Sequence, residues 1–494
     1  MANLNDVQQK AVTHGPGNLL IVAGPGTGKT HTLTHRILKL TEQLKSTEKI
    51  LAVTFTNKAA HEMRQRLEKL GVDLKCVFVG TFHQFCLSLL REFIEETELP
   101  RNFRVVEPQD IEGMAKLLWP DLSKREQTKI LEDIGRQKSS MGGLLDKEKY
   151  LNQYNQQLRQ NGWLDFDDLL LETIRLLEMK HHITMHIRSL YTSIFVDEYQ
   201  DINSVQHHLL KILAGPQGHI TAIGDPNQAI YGFRGGSHGF FKTFSEDFPN
   251  TTVLSLTQNY RSTSNILEAS SQVITGHDVT ISPLTAEIYE KGKLIIHETP
   301  TEKAEAEYVV HQIEKIIGGT SLFSQDSGRV SSQAQAEFTF GDIAILYRLN
   351  AQRKCLEEAL ERSGIPYQVS GREPYPVEEP WVYDVEKVHL STIHAAKGLE
   401  FAVVFILGCE DNLLPLNLEG LISNPQEERR LFYVAMTRAK NQLFLTRVRK
   451  RVLFGKFYEN VPSPFLKDIE ERLKEYEQIK QRRGQFEKQM SFLK

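Results

Sequence analysis

The segment Ala23–Thr30, AGPGTGKT, places glycines, a lysine and a threonine within eight residues. Gly24, Gly26 and Gly28 let a backbone curl with no Cβ in the way. The N–H groups of such a curl, with Thr27 inside it and a helix N-terminus behind it, make a cradle for phosphate. Lys29 can then reach the β- and γ-phosphates of a nucleoside triphosphate, and the Thr30 hydroxyl can hold Mg²⁺. The apolar run Leu19–Ala23 precedes the loop and a helical pattern, Lys29 to Leu40, follows it. In that context the spacing reads as a phosphate loop and not as a chance Gly-rich turn. Ala23 stands where the pattern ordinarily begins with Gly.

A second cluster, Ile194–Asp201, reads IFVDEYQD. Two adjacent acids at the end of an apolar strand are costly unless they are used. Asp197 would hold Mg²⁺ through water, and Glu198 is placed to orient and deprotonate an attacking water. The bland alternative is a strand that ends in a helix cap. A third cluster, Gly224–Gly235, reads GDPNQAIYGFRG. Gln228 suits the sensing of a γ-phosphate. Tyr231 and Phe233 are aromatics in a Gly-rich stretch, where they can serve as base-stacking platforms or as core. Arg261, in QNYRS, and Arg438, in YVAMTRAK, are candidates to neutralise charge developing on the γ-phosphate, with surface arginine as the alternative for each.

These residues need strands to end where the chemistry is. Short apolar strands alternate with amphipathic helices over the first ~90 residues, a βαβ rhythm that implies a parallel sheet. From Leu87 to Leu164 helical periodicity dominates and no strand is expected. Strands return at Ser193–Val196, Ile220–Ile223 and Val253–Leu256. A second α/β region follows, with strands at Lys293–Glu298, Asp342–Tyr347, His389–Ile393, Phe401–Leu407 and Gln442–Thr446. Residues Gly318–Glu337 read as a long loop, and the chain after Asp468 as a charged helical tail. The length of 494 residues fits roughly three domains. A net charge of −4 excludes a basic coat over the whole molecule but not a local positive groove. The N-terminus lacks a secretory pattern and no apolar run is long enough for a membrane span, so a cytoplasmic protein is expected. The cysteines, Cys76, Cys86, Cys355 and Cys409, form no CxxC pair and are expected as buried thiols.

Taken together, the motifs resemble those of superfamily 1A helicases of the UvrD, Rep and PcrA type. LNDVQQKAV resembles the Q motif, AGPGTGKT motif I, TFTNKAAHEMRQRL motif Ia, and GTFHQF the next DNA-contacting motif. LDFDDLL resembles the family sequence that re-enters the first domain. VDEYQD, GDPNQAIYGFRG and LTQNYRS look like motifs II, III and IV, and GDIAILYRLNAQRKCLEEAL looks like motif IVa. LSTIHAAKGLEF and EERRLFYVAMTRAK resemble motifs V and VI. The order is the family's along nearly the whole chain.

The resemblance implies two RecA-like α/β domains with an ATP cleft between them and a helical 1B insertion. Domain 1A would comprise residues 1–90 and 165–262, domain 1B 91–164, and domain 2A 263–468, with a tail over 469–494. Gln8 would read the adenine, and Tyr260 and Arg36 would flank it. Gln228, Arg261 and Arg438 would surround the γ-phosphate, and Glu400 would couple the nucleotide to the second domain. Phe55, Asn57, Thr81, His83, Tyr231, Phe233, Arg348, Asn350 and His394 would line a single-strand path. ATP and Mg²⁺ are the implied cofactors. Single-stranded DNA and single-strand/duplex junctions are the implied partners, with a repair or replication protein beside them. A monomer that is nucleoid-associated on DNA is expected, translocating 3′→5′.

One departure is large. The family carries a 2B domain before motif V, where it touches duplex DNA and restrains unwinding. Here only VEEPWVYDVEKVH separates GIPYQVSGREPYP from motif V, too little for a folded domain. A single-strand translocase that unwinds poorly and an ATP-switched recruitment protein are therefore the alternatives to a helicase. Other signals have plainer readings. HHITMH (181–186) reads as a solvated helix end, and Asp165, Asp167 and Asp168 as a helix N-terminus. RVRKR (447–451) reads as either a DNA-phosphate contact or a solvated strand end, and Trp381 as core anchor or DNA wedge.

Overall fold

A computed structural model describes residues 4–140, 148–216, 218–232, 235–236, 239–274, 283–288, 290–318, 337–370 and 386–477. Phe233, Trp381, most of the expected loop Gly318–Glu337 and the chain beyond residue 477 lie outside them. The chain divides into two compact units, parted at Asn259/Tyr260.

In the first unit, helix α1 (Asp6–Thr13) precedes strand β1 (Leu19–Ala23) and helix α2 (Lys29–Thr41). Strand β2 (Lys49–Thr54), helix α3 (Asn57–Lys69), strand β3 (Val77–Thr81) and helix α4 (Phe82–Glu92) follow. After the insertion come helices α8 (Phe166–Met179) and α9 (His181–Leu190), strand β6 (Tyr191–Val196), helix α10 (Ser204–Ala214), β7 (His219–Gly224), helix α11 (Gly239–Asp247) and β8 (Thr252–Leu256). The sheet runs β3-β2-β6-β7-β1-β8, and its ladders are parallel. A parallel sheet brings all its strand ends of one polarity to one edge, the place where α/β folds build sites. At that edge stand the loop after Ala23, Phe55 after β2, Thr81 of β3, Asp197 after β6 and Asp225 after β7. Apolar runs such as LLIVA are buried because helices cover both faces.

The insertion holds helices α5 (Pro108–Leu118), α6 (Lys124–Lys138) and α7 (Glu148–Asn161) around a small core that includes Trp119, Ile130, Ile134 and Tyr154. Contrary to expectation it contains strand structure. Strand β4 (Arg104–Val105) pairs in parallel with β5 (Trp163–Leu164), tying together the two ends of the insertion. Two-residue strands carry no periodicity that a sequence could display. Asp165 caps α8 in a capping box with Asp168, as the acids there suggested. They also do more: Lys138, at the end of α6, lies 2.7 Å from both Asp165 and Asp168, and the Tyr154 hydroxyl donates to Asp165. This buried cluster fastens the insertion to the sheet domain.

The second unit has a sheet in the order 367–369, 388–392, 343–347, 401–406, 439–453, 293–301, 475–476, parallel except for the hairpin strand Lys456–Glu459 on Ala439–Leu453. Three expectations need correction here. First, the domain boundary falls before Tyr260, not after residue 262, because Ser262 Oγ donates to the Ala439 carbonyl and Thr263 N to that of Lys440. Arg261 therefore belongs to the second unit. Second, residues 471–476 form a short 3₁₀ turn and an edge strand instead of a helix. Third, the basic run at 447–451 is solvated only in part, with the Arg449 and Lys450 side chains 73% and 64% exposed. Arg447 and Arg449 pair with Glu298, and the Arg451 side chain, 2% exposed, sits between Glu305 and Glu410 at 2.7 and 2.6 Å.

Cys86 and Cys409 are buried as expected, whereas Cys76 and Cys355 are partly exposed. No described helix is long and apolar enough to cross a membrane.

Candidate functional site

The loop after β1 is shaped as its glycines predicted. Gly26 and Gly28 take φ of 67° and 80°, the left-handed region that L side chains avoid. A Cβ on Gly28 would also lie 2.8 Å from the Gln8 amide nitrogen. No side chain caps α2, so the N–H groups of its first turn stay available for an anion. Lys29 Nζ donates to the Ala23 and Gly24 carbonyls, 3.2 Å each, holding its charge at the loop mouth. Thr27 Oγ1 donates to the Gly24 carbonyl and closes the turn, and Thr30 is half-buried on the first turn of α2.

Gln8 is held ready. Its amide oxygen accepts from Asn5 N and its nitrogen donates to the Thr27 carbonyl, each at 3.0 Å. One lone pair and one N–H are left after these two bonds, the pair an adenine edge requires. Arg36 is different. Its side chain is buried, and it donates to Ala11 O, His14 O and Thr221 Oγ1. Burial pulls its pKa down to about 10. A guanidinium clamping α1 to the sheet is not free to lie on a base, so the expected adenine-flanking role is corrected to a structural one. His31, one residue past Thr30, was not singled out from the sequence. Its Cβ lies 3.9 Å from a Cβ built on Gly28, and its ring packs against His35 with centroids 4.2 Å apart.

Past β6, Asp197 is 6% exposed and its carboxylate accepts from Glu198 N at 3.0 Å. Burial and then Glu198 push its pKa up to about 7, with Lys29 opposing. Such a desolvated carboxylate wants a cation. Among the described residues no group of three His, Cys, Asp or Glu could hold a metal by itself. A single buried carboxylate such as Asp197 fits Mg²⁺, which keeps waters and takes one or two protein oxygens. Glu198 takes φ 52°, ψ 45°, an unfavourable conformation for a residue with a side chain. Its carboxylate accepts a hydrogen bond from Gln200. Gln228 is buried and donates to Asp225 Oδ2 at 2.8 Å. Burial raises the pKa of Asp225, against the pull of Lys29.

On the same edge of this unit a cavity of about 1230 Å³ is lined by Phe55, Thr81 and His83 among others. Phe55 and Tyr231 stack with centroids 5.0 Å apart and planes 20° off parallel. His83 meets Phe166 edge-on at 5.6 Å. Phe166 is 54% exposed and was missed. Its signal was an apolar residue at the first position of a helix, where no core face demands one. Thr81 caps α4, and Asn57 is exposed at the start of α3.

In the second unit Glu400 joins Arg261 at 2.7 Å and Lys440 at 2.8 Å. Burial opposes its ionisation, yet Arg261 and Lys440 hold its pKa below the ordinary value. Arg438 is buried and donates to the Val434 and Leu399 carbonyls. Arg261 thus pairs with Glu400, Arg438 is held by the backbone beside it at Leu399, and Tyr260 is 47% exposed. Arg348 is the exception among the path residues here. It is locked onto Glu428 at 2.7 Å and its guanidinium is committed to that carboxylate. Asn350 is exposed and His394 half-buried.

Residues 4–249 match the UvrD/REP helicase N-terminal domain, and residues 254–375 and 378–450 match the UvrD-like helicase C-terminal domain. The chain belongs to the UvrD/Rep helicase family. Relatives within it include the ATP-dependent DNA helicase PcrA of Staphylococcus epidermidis RP62A, 29% identical over 651 aligned positions covering 95% of this chain and 87% of the relative. PcrA of Staphylococcus aureus Mu50 is 28% identical over 652 positions, 96% and 87% of the two chains. In the first alignment, 95% of 494 residues is about 469, so roughly 180 of the 651 positions hold residues of the relative alone. The UvrD-like C-terminal match breaks between residues 375 and 378.

Proposed function

We propose that this UvrD/Rep-family enzyme, an ATP-dependent DNA helicase, translocates 3′→5′ on single-stranded DNA. The observation that carries the reading is that one sheet edge of one unit bears both halves of the task. The phosphate loop, Asp197, Glu198 and Gln228 stand beside strand ends that present Phe55, with Tyr231 stacked on it, and His83 to an open groove. Gln8 reads the adenine edge, Lys29 and the first N–H groups of α2 hold the phosphates, and Glu198 takes the proton of the attacking water. Arg261 and Arg438 supply positive charge, with Glu400 setting the Arg261 guanidinium. Thr30 and Asp197 would hold Mg²⁺, which would supply positive charge against the phosphates. Aromatic faces tolerate any base, so the groove grips strand without reading sequence.

The test is steady-state ATPase with and without single-stranded DNA, with Glu198→Gln as control. Turnover strongly raised by DNA in the wild type and lost by about 10²-fold or more in the variant is expected. A rate indifferent to DNA overturns the reading, and motion toward the 3′ end in a translocation assay overturns its polarity.

A second reading has its own support. The break in the C-terminal match and the roughly 180 unmatched positions favour a chain without a 2B domain. Such a motor would strip proteins from single strands yet separate duplex poorly. Efficient unwinding of a 3′-tailed duplex by the protein alone would count against it. Repair or replication of DNA, in the cytoplasm and as a monomer, is the setting this reading fits.

A further inference from the structure

Gln200 lies between the hydrolytic machinery and the strand groove, and neither half of the proposed function uses it. It is 1% exposed. Its amide nitrogen donates to the Glu198 carboxylate, and its amide oxygen accepts from Asp225 N at 3.0 Å. Asp225 in turn holds Gln228 through Oδ2 and Asn227 N through Oδ1, at 2.8 and 3.0 Å. One side chain thus braces the loop after β6 to the loop after β7, and with them the water-activating acid to the phosphate-sensing glutamine. The fold makes room for this brace. A Cβ on Gly224 would lie 2.1 Å from the Gln200 amide oxygen and 3.1 Å from Tyr199 N. Gly224 has no unusual φ to require glycine, so close approach is its reason. Tyr199 is buried edge-on against Phe241 and Phe244, at 5.4 and 5.2 Å between centroids, which anchors the turn that carries Gln200.

Both braced loops continue directly into the groove. Asp201 and Asn203, one and three residues past Gln200, line it. Gly232 and Gly235, beyond Gln228, line it too, and a Cβ on Gly235 would lie 3.6 Å from the Asn203 Cβ. Strand entering the groove must press on one or both of these segments. Because Gln200 and Asp225 are buried, neither loop can shift without moving the other or leaving buried hydrogen-bonding groups unpaired.

We propose that Gln200 is a positioning residue through which single-stranded DNA in the groove sets the geometry of Glu198, so that it governs DNA stimulation of ATP hydrolysis rather than the binding of either ligand. This rests on the reading of the chain as a DNA-stimulated ATPase. Gln200→Ala removes both arms of the brace. Gln200→Glu keeps the length and the acceptor but loses the donor to Glu198. Gly224→Ala leaves Gln200 in place chemically and displaces it sterically.

The experiment measures kcat and KM for ATP with and without oligo-dT, and the Kd for oligo-dT by fluorescence anisotropy, on the full chain. Thermal unfolding confirms that each variant is folded. The stimulation factor is expected to fall by about tenfold in all three variants, while KM without DNA and Kd for oligo-dT change by less than about threefold. A folded variant set that keeps the wild-type stimulation factor overturns the proposal. So does loss of stimulation that tracks an equal loss of ATP or oligo-dT binding, which would make Gln200 ordinary support for one site. Should Gln200→Ala not fold, the isosteric Gln200→Glu decides by the same criteria. A wild type that DNA does not stimulate would instead sink the parent reading, and the proposal with it.

Discussion

Arg36 and Glu198 show how differently two charged residues of one motif set can be used. Glu198 stands in a left-handed conformation that its side chain disfavours, a strain tolerated where a precise position is needed. Arg36 is spent on three protein oxygens, those of Ala11, His14 and Thr221. Arg36→Ala should therefore lower stability by about 2 kcal/mol or more, since buried acceptors of a charged donor are left unmade. Chemical denaturation checks this, and KM for ATP should follow stability and not exceed it. A residue that stacked on adenine would give the opposite pattern, a raised KM in a protein of unchanged stability.

At the scale of elements, the join between α6 and α8 is an electrostatic one. Asp167 faces the groove beside Asp165 and Asp168, with Lys138 the cation set among them and Glu132 and Arg136 on the facing helix. Burial, then Asp165, pushes the Asp167 carboxyl up to about 6 from an ordinary 3.8, against the pull of Lys138. A folded pKa above the unfolded one favours the protonated fold. The contribution is complete below about 3.8 and is lost as pH rises through about 6. Asp167→Asn should then raise Tm at pH 8 by about 2–4 °C and leave it nearly unchanged at pH 4. Differential scanning fluorimetry across that range decides it, and an equal gain at both pH values would refute the sign. Lys138 makes the complementary case. Removing it leaves two buried carboxylates facing each other, and the helical insertion would lose its anchor before its own small core failed.

Across the whole molecule, each unit has its own sheet and its own buried apolar clusters. The second unit also buries a charged triad, Arg451 with Glu305 and Glu410, all at most 2% exposed at the side chain. Breaking such a set from one side costs about 3–5 kcal/mol. Arg451→Met should lower the denaturant midpoint of the second unit alone. Far-UV circular dichroism would then show an early partial loss, while fluorescence of Trp119 and Trp163 in the first unit, read with Trp381→Phe in both proteins, keeps its wild-type midpoint. A single coincident transition at a lower midpoint would mean that the two units unfold as one.

The sequence by itself determined the phosphate loop, the acid pair after β6, the strand order of chemistry along the chain and the parallel α/β class. Those features are local: glycines at positions of positive φ, apolar runs of strand length, and acids that burial would forbid unless they were used. It also exposed the short junction before motif V, because length alone limits what can fold there. Tertiary structure decided what depends on partners distant in the chain. Arg36, Arg348 and Arg451 look alike as letters, yet each guanidinium is fixed by acceptors from tens to more than a hundred residues away. The same holds for the parting of the units at Asn259/Tyr260, set by hydrogen bonds to residues 439 and 440. It holds for the Gln200 brace too, which exists because two strands neighbouring in the sheet bring Glu198 and Asp225 within reach of one amide.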